Sequence, residues 1–273
     1  MKSTVLFIGW ACLTSCHASL KLTIPEAFKQ QATMEHVDGS RGNKMSFANF
    51  STSRIRRGAH VTYPGGWGGP SFFWENVTLN QIGLQKDEST VKEKAKFHYT
   101  LTDGKNQVEV YAHEKSVTTH LEYKMLHREG LLSSYEQLQQ YNYLFSAVIS
   151  TGSTQNDKNW VLQMTNIYDR KAQNDTNPFA HHTWGDNGLA TNGTDSIFIK
   201  PIKIEKSVSA NGVERQIPFK ILSGYELSTP DGVIAIVDLL NRNVWFYNEL
   251  EPAEKLNISA IATAIFARRV HGE

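Results

Sequence analysis

The ten residues from Ile258 to Ala267 limit the folds open to this chain more than any other segment. They read ISAIATAIFA, and each is apolar except Ser259 and Thr263, which are small. The four alanines favour a helix over a strand, and a helix that is apolar on all sides must be buried on all sides. The segment is too short to cross a bilayer, which takes roughly 20 apolar residues. It therefore predicts a core helix surrounded by sheet.

The residues that flank this segment fit the two ends of such a helix. Pro252 suits the first turn, where a missing N–H costs nothing, and Glu254 suits the positive N-terminal end. Arg268 and Arg269 suit the negative C-terminal end. We therefore predict a helix over residues 252–267. A final β-strand is the alternative, because isoleucine is also common in strands.

Upstream of the helix the sequence alternates apolar and polar residues with a period of two, which is typical of strands. The clearest example is KFHYTLTDGKNQVEVYAHE, in which Asp103 and Gly104 supply a hairpin turn. About eleven such segments follow one another without a helical pattern between them. The sequence therefore predicts a mainly β fold, an antiparallel barrel or sandwich of about eleven to twelve strands with a buried apolar C-terminal helix. Residues 133–142, SSYEQLQQYN, are interpreted as a short helix or extended turn.

A sheet closed around an apolar C-terminal helix resembles the tubby-like fold of the tubby, LURP-one and scramblase families. The resemblance depends on residues 232–267, GVIAIVDLLNRNVWFYNELEPAEKLNISAIATAIFA, which comprise two strands, an aromatic stretch and the helix. It implies a barrel wrapped around that helix. It implies no site residue, because the basic pair with which tubby proteins bind phosphoinositides has no matching position here.

The N-terminal segment MKSTVLFIGWACLTSC has the features of an export signal. Lys2 precedes an apolar run from Val5 to Leu13, which suits a secretory signal and is too short to span a membrane. Leu13-Thr14-Ser15-Cys16 resembles the bacterial lipobox, which implies cleavage after residue 15 and attachment of lipid to Cys16. The chain then divides into a signal peptide (1–15), a tether and lead-in (16–44) and a single β domain (45–273).

The residue after Cys16 bears on the location of the protein. It is His17, not the aspartate that retains lipoproteins at the inner membrane of enteric bacteria, so we expect the outer membrane, on its periplasmic side. The alternative is a conventional signal peptide cleaved before Ser19, which would leave a secreted protein without cysteine. Five sequons would then be open to glycosylation: Asn49, Asn76, Asn174, Asn192 and Asn257. In either case the lack of cysteine after Cys16 excludes a disulfide framework.

The net charge of the chain and the catalytic motifs that it lacks limit the classes of function to be expected. With 28 basic and 27 acidic residues the net charge is +1, which gives no electrostatic reason to expect a nucleic-acid partner. The sequence holds no nucleophile-elbow, Walker or dinucleotide-binding motif, and it indicates no cofactor. We therefore expect a non-enzymatic binding or structural protein. Its expected partners are the membrane, through the lipid, and an envelope protein or glycan.

Two irregular stretches are candidates for the binding surface. YPGGWGGPSFFWEN (63–76) carries aromatic side chains on a glycine-rich backbone, and residues 169–194 are long and lack periodicity. Loops of these kinds often carry function. The candidate ligand-binding residues are Tyr63, Trp67, Phe72 and Trp184. The alternative for Trp67 is a structural role, closing the end of the barrel.

A metal-assisted hydrolase is the alternative function. His181, His182 and Asp186 lie in one polar segment, and imidazole and carboxylate groups bind divalent metals such as zinc. Adjacent histidines point to opposite sides of an extended chain, so a hydrogen-bonded surface loop is the competing interpretation. A divalent metal is the cofactor that this alternative requires.

Overall fold

A computed structural model of the chain describes residues 22, 24–65, 76–77, 79–81, 83–125, 134–151, 159–177, 185–208 and 214–270. Most of these residues are in strands, and the strands form a single sheet. Helix α1 spans Glu26–Lys29 and the C-terminal helix α2 spans Pro252–Ala267, and residues 76–77 and 79–81 are also helical. The strands are β1 (Ala32–His36), β2 (Ser46–Phe47), β3 (Phe50–Thr52), β4 (Arg56–Arg57), β5 (Val61–Gly65), β6 (Leu84–Thr102), β7 (Gln107–Met125), β8 (Ser134–Ser150), β9 (Trp160–Asp169), β10 (Asn187–Thr191), β11 (Ser196–Val208), β12 (Glu214–Thr229), β13 (Gly232–Asp238) and β14 (Asn243–Tyr247).

The sheet curls into a nearly closed antiparallel barrel. Its path of neighbouring strands runs β1-β14-β13-β12-β11-β10-β9-β8-β7-β6-β3-β2, and β4 and β5 also pair with β6. A bridge between Asp38 and Ser46, with a backbone hydrogen bond in each direction, connects the two ends of this path. Near closure leaves few unpaired strand edges. The predicted fold class is confirmed, with twelve strands along the path and one apolar helix at the C-terminus.

Helix α2 lies within the core of the barrel. Each residue from Ile258 to Ile265 is buried, and together with inward-facing side chains of the strands they form one hydrophobic core. The helix predicted over residues 252–267 is confirmed with the same bounds, and Glu251 and Glu254 form a capping box at its start. A helix that is apolar on all sides needs a surrounding sheet, because each of its faces must be buried. No helix among the described residues is both long and apolar enough to cross a membrane.

The β domain begins earlier than the sequence indicated. Strand β1 pairs with β14 over five residues, from Ala32 opposite Tyr247 to His36 opposite Asn243. Phe28 of α1 packs against Ile236 in a small apolar cluster outside the main core. Part of the segment assigned to the tether (16–44) is therefore a strand of the barrel.

The short helix or extended turn predicted over residues 133–142 is wrong for residues 134–142, which are part of a strand, and residue 133 lies outside the described residues. Strand β8 includes Ser134–Asn142 and pairs with β7 along its full length. A register shift between Thr119 and His120 of β7 lies opposite this part of β8. The buried residues Leu138 and Tyr141 are consequently three positions apart, a spacing that resembles one helical turn. Pairing with a neighbouring strand outweighs such local preference.

The two ends of the barrel differ in strand length. At one end, here named the turn end, short turns join the strands, and Gly104 adopts the predicted positive φ of +93°. At the other, the long-strand end, β6 and β7 each run for 19 residues, about 60 Å at roughly 3.3 Å per residue. Helix α2 has 16 residues and is about 24 Å long at 1.5 Å per residue. The backbone N–H of Arg269, just after α2, donates to Glu114 of β7. The part of β7 over residues 115–125 therefore extends past Ala267, where α2 ends.

Candidate functional site

Tyr63 is the one candidate ligand-binding residue within the described residues, and it lies at the long-strand end. Tyr63 is on β5 opposite Lys92 of β6, and its side chain is 53% exposed. The strand pairing places it beside the projecting part of β6. Several other predicted site residues lie outside the described residues: Cys16, Trp67, Phe72, His181, His182 and Trp184.

The predicted irregular stretch 169–194 is not irregular throughout, because Asn187–Thr191 form strand β10. Asn192 and Thr194 lie near the start of α2 at the turn end.

Asp186, considered above as a metal ligand, lies in the core and pairs with Arg268. Nη1 of Arg268 donates to Oδ2 of Asp186 at 2.6 Å, and the two side chains are 4% and 0% exposed. Tyr225 donates its hydroxyl to the same oxygen at 3.1 Å and accepts from Nη2 of Arg268 at 2.9 Å. Across the described residues, no group of three or more His, Cys, Asp or Glu side chains is placed to hold a metal. The surroundings of Asp186 are those of a structural ion pair.

The ion pair lies at Arg268, the residue that follows the last residue of helix α2. Nε of Arg268 also donates to the carbonyl of Ile265 at 3.2 Å, so one guanidinium joins the helix end to the barrel. Burial alone would lower the pKa of Arg268, but Tyr225, Tyr143 and Asp186 outweigh burial and raise this pKa. A cation at this position also interacts favourably with the negative C-terminal end of the helix, as predicted.

Glu114 holds the two residues that follow Arg268. It is fully buried, and its carboxyl group accepts the backbone N–H of Arg269 at 3.0 Å and that of Val270 at 3.1 Å. Tyr143 donates its hydroxyl to the same group at 3.2 Å. Sequence reasoning missed Glu114, although the alternation that predicts β7 places it on the inward face with Val110 and Ala112. An inward-facing carboxyl group was the available signal.

A cavity of about 810 Å³ opens next to the end of α2. We name it the basic pocket, and its volume is within the range of about 300–1,000 Å³ that is usual for small-molecule sites. Its lining consists of Ser40, Arg41, Arg57, His60, Leu222, Leu239, Ile265, Phe266, Arg268 and Arg269. These residues come from the loop after β1, from β4 and the loop after it, from β12, from the turn after β13, and from α2 and the two residues that follow it. Sequence reasoning missed the pocket because no local pattern relates such distant segments.

The arginines of the basic pocket are only partly neutralised. Arg268 pairs with Asp186, whereas no ion pair to a described carboxylate is found for Arg41, Arg57 or Arg269. His60 lines the same pocket with Nε2 3.5 Å from Oε1 of Glu93.

The surroundings of Arg57 are the clearest evidence that positive charge is concentrated in the basic pocket. Its Nη1 donates to the carbonyl of Ala267 at 2.6 Å, but its buried Nε has no hydrogen-bond partner. Burial, followed by the charge of the neighbouring Arg269, lowers the pKa of Arg57, against an opposing effect of Glu114. Like charges disfavour the charged form of each other. An anion placed between Arg57 and Arg269 would relieve this repulsion.

Comparison with protein-family models, with curated proteins and with solved structures found no match for this chain.

Proposed function

We propose that this protein is a non-enzymatic binding protein of the bacterial envelope whose basic pocket binds an anionic ligand. The observation that carries the proposal is the set of three arginines around one cavity, Arg41, Arg57 and Arg269, without a carboxylate in ion-pair contact among the described residues. Three carboxyl groups lie nearby, but each already has a partner: Asp186 is bound to Arg268, Glu114 to the backbone of Arg269 and Val270, and Glu93 contacts His60. The charge of the pocket is therefore available to a ligand.

The chemistry of arginine indicates which anions fit. A guanidinium group presents its N–H donors in a planar fork that matches the oxygen atoms of a carboxylate or a phosphate. The partial burial of Arg57 lowers the local dielectric constant, so a charge-assisted hydrogen bond there is stronger than it would be in water. The unpartnered Nε of Arg57 supplies one donor for such a bond.

Binding of inorganic phosphate at low ionic strength, measured by titration calorimetry, tests the pocket. We expect Arg41→Gln and Arg269→Gln each to weaken phosphate binding roughly tenfold or more, because a hydrogen bond to a charged group contributes about 1.5–3 kcal/mol. Arg54→Gln is the matched control, since Arg54 is exposed and does not line the pocket. Equal affinities in all of these variants, or no detectable binding to the unaltered protein, would reject the proposal.

The anchoring part of the proposal is supported by the lipobox-like residues Leu13-Thr14-Ser15-Cys16. We expect the mature N-terminal peptide, isolated from native membranes, to begin with Cys16 carrying glyceryl-linked acyl chains. Several chains would hold the protein on the membrane durably, since each buried methylene contributes about 0.8 kcal/mol. Intact-mass spectrometry of that peptide decides the point. An unmodified N-terminus at Ser19 would identify a secreted protein instead.

A further inference from the structure

The basic pocket has an apolar wall as well as its arginines. Leu222 of β12, Leu239 of the turn after β13 and Phe266 of α2 line the same cavity, and all three are only partly buried. The N–H of Leu239 donates to the carbonyl of Ser223 at 2.9 Å. This hydrogen bond places Leu239 beside the strand that carries Leu222. Both leucines thus contribute apolar side chains to the lining of the same pocket.

A ligand that contacted only the arginines, or only the apolar side chains, would leave the other part of the lining without a suitable partner. A bare inorganic anion would bind the arginines but leave the leucines and Phe266 in water, without the gain from removing apolar surface. A purely apolar molecule would cover the buried donor of Arg57 without giving it an acceptor, which is unfavourable. The lining as a whole is complementary to a molecule that has both parts.

We infer that the ligand is a single-chain amphiphile with an oxyanion head that binds Arg41, Arg57 and Arg269. Its aliphatic chain lies against Leu222, Leu239 and Phe266. This inference rests on the proposed function and adds the class of ligand to it. The size of the pocket, about 810 Å³, leaves room for a chain beyond a head group. A carboxylate and a phosphate share the head-group chemistry, because a guanidinium fork fits either.

A chain-length series tests the inference. The probes are inorganic phosphate, butyl phosphate, octyl phosphate and octanoate, each titrated below its micelle-forming concentration. We expect the affinity for the phosphates to rise with chain length by about fourfold for each methylene that leaves water, until the apolar wall is covered. The comparison of octanoate with octyl phosphate identifies the preferred head group, and tighter binding of either one than of inorganic phosphate supports the inference.

Substitutions separate the two halves of the pocket. Leu239→Asn should lower the affinity for octyl phosphate at least tenfold and leave that for inorganic phosphate unchanged, whereas Arg269→Gln should lower both. Leu239→Ala, a milder change, provides the same comparison if Leu239→Asn does not fold. Leu189→Asn is the matched control, because Leu189 is 39% exposed and lies outside the pocket.

Different failures of this experiment have different meanings. Equal affinity for inorganic phosphate and octyl phosphate would overturn the amphiphile but leave anion binding in place. No binding of any probe would reject both. Binding of 1-octanol as tight as that of octyl phosphate would show that the arginines contribute nothing, and would overturn the inference. Binding confined to phosphatidylcholine vesicles that contain phosphatidic acid, without binding of octyl phosphate, would also overturn it, because the ligand would then be a lipid surface.

Discussion

Asp186→Ala is expected to lower the free energy of unfolding by about 3–5 kcal/mol, because it leaves the charge of Arg268 buried without its partner. Arg268 is only 4% exposed, and its Nε is bonded to the carbonyl of Ile265 in the last turn of α2, which limits its movement toward water. Urea unfolding followed by circular dichroism measures the change. A loss of this size would be a large share of the 5–15 kcal/mol that is typical of folded domains.

Two further variants distinguish a buried pair from an ordinary ion pair. Lys220→Ala removes the exposed Lys220–Glu205 pair, whose side chains are 58% and 49% accessible, and should cost about 0–1 kcal/mol. Replacing both members of the buried pair, Asp186→Leu with Arg268→Met, should recover much of the stability lost in Asp186→Ala, because no unpaired charge then remains. If Asp186→Ala were no more harmful than Lys220→Ala, the guanidinium of Arg268 would have to be solvated in solution.

Ala262→Asp is expected to prevent folding of the barrel. Ala262 is fully buried in the middle of α2, and the helix residues on either side of it are buried as well. A carboxylate at this position would therefore lie inside the hydrophobic core. Burying an unpaired charge costs more than the net stability of a typical domain, unless the carboxyl group is neutralised at a further cost. Soluble yield and the thermal unfolding transition of the purified variant report the result.

The same substitution in the first turn of the same helix is the control. Ala253 is exposed, and an aspartate near a helix N-terminus is favourable by about 0.3–1 kcal/mol. Ala253→Asp should therefore fold with unchanged or slightly higher stability. An Ala262→Asp protein that unfolded at the same temperature as Ala253→Asp would mean that α2 does not lie inside the barrel.

The buried polar groups also connect the fold to the basic pocket. The pair of Arg268 with Asp186 and the bonds from Glu114 to the backbone of Arg269 and Val270 fix the chain immediately after α2. That chain carries Arg269 into the pocket. Burying these charges is costly, but the same contacts hold Arg269 at a defined position in the pocket. Arg269 has no ion pair of its own among the described residues.

Parts of the fold were predictable because their signals are local. The bounds of α2 follow from a run of small and apolar residues between Pro252 and Arg268, and the hairpin of β6 and β7 from alternation around Asp103 and Gly104. Strand β8 was misinterpreted where its register shifts against β7. Strand β1 was assigned to a tether, because it lies in the polar segment that follows Cys16. Its place in the barrel depends on β14, far along the chain.

The sequence by itself determined that the chain forms an antiparallel β structure with a buried apolar C-terminal helix, since periodicity and side-chain polarity act on neighbouring residues. It left a barrel and a sandwich open, and the tertiary structure showed the barrel. Only the tertiary structure decided which polar residues share an environment. It assigned Asp186 to Arg268, and it brought Arg41, Arg57 and Arg269 to one cavity beside Leu239. Electrostatic and apolar contacts depend on distances in space. The closure of the barrel sets these distances between segments that are far apart along the chain and share no sequence pattern.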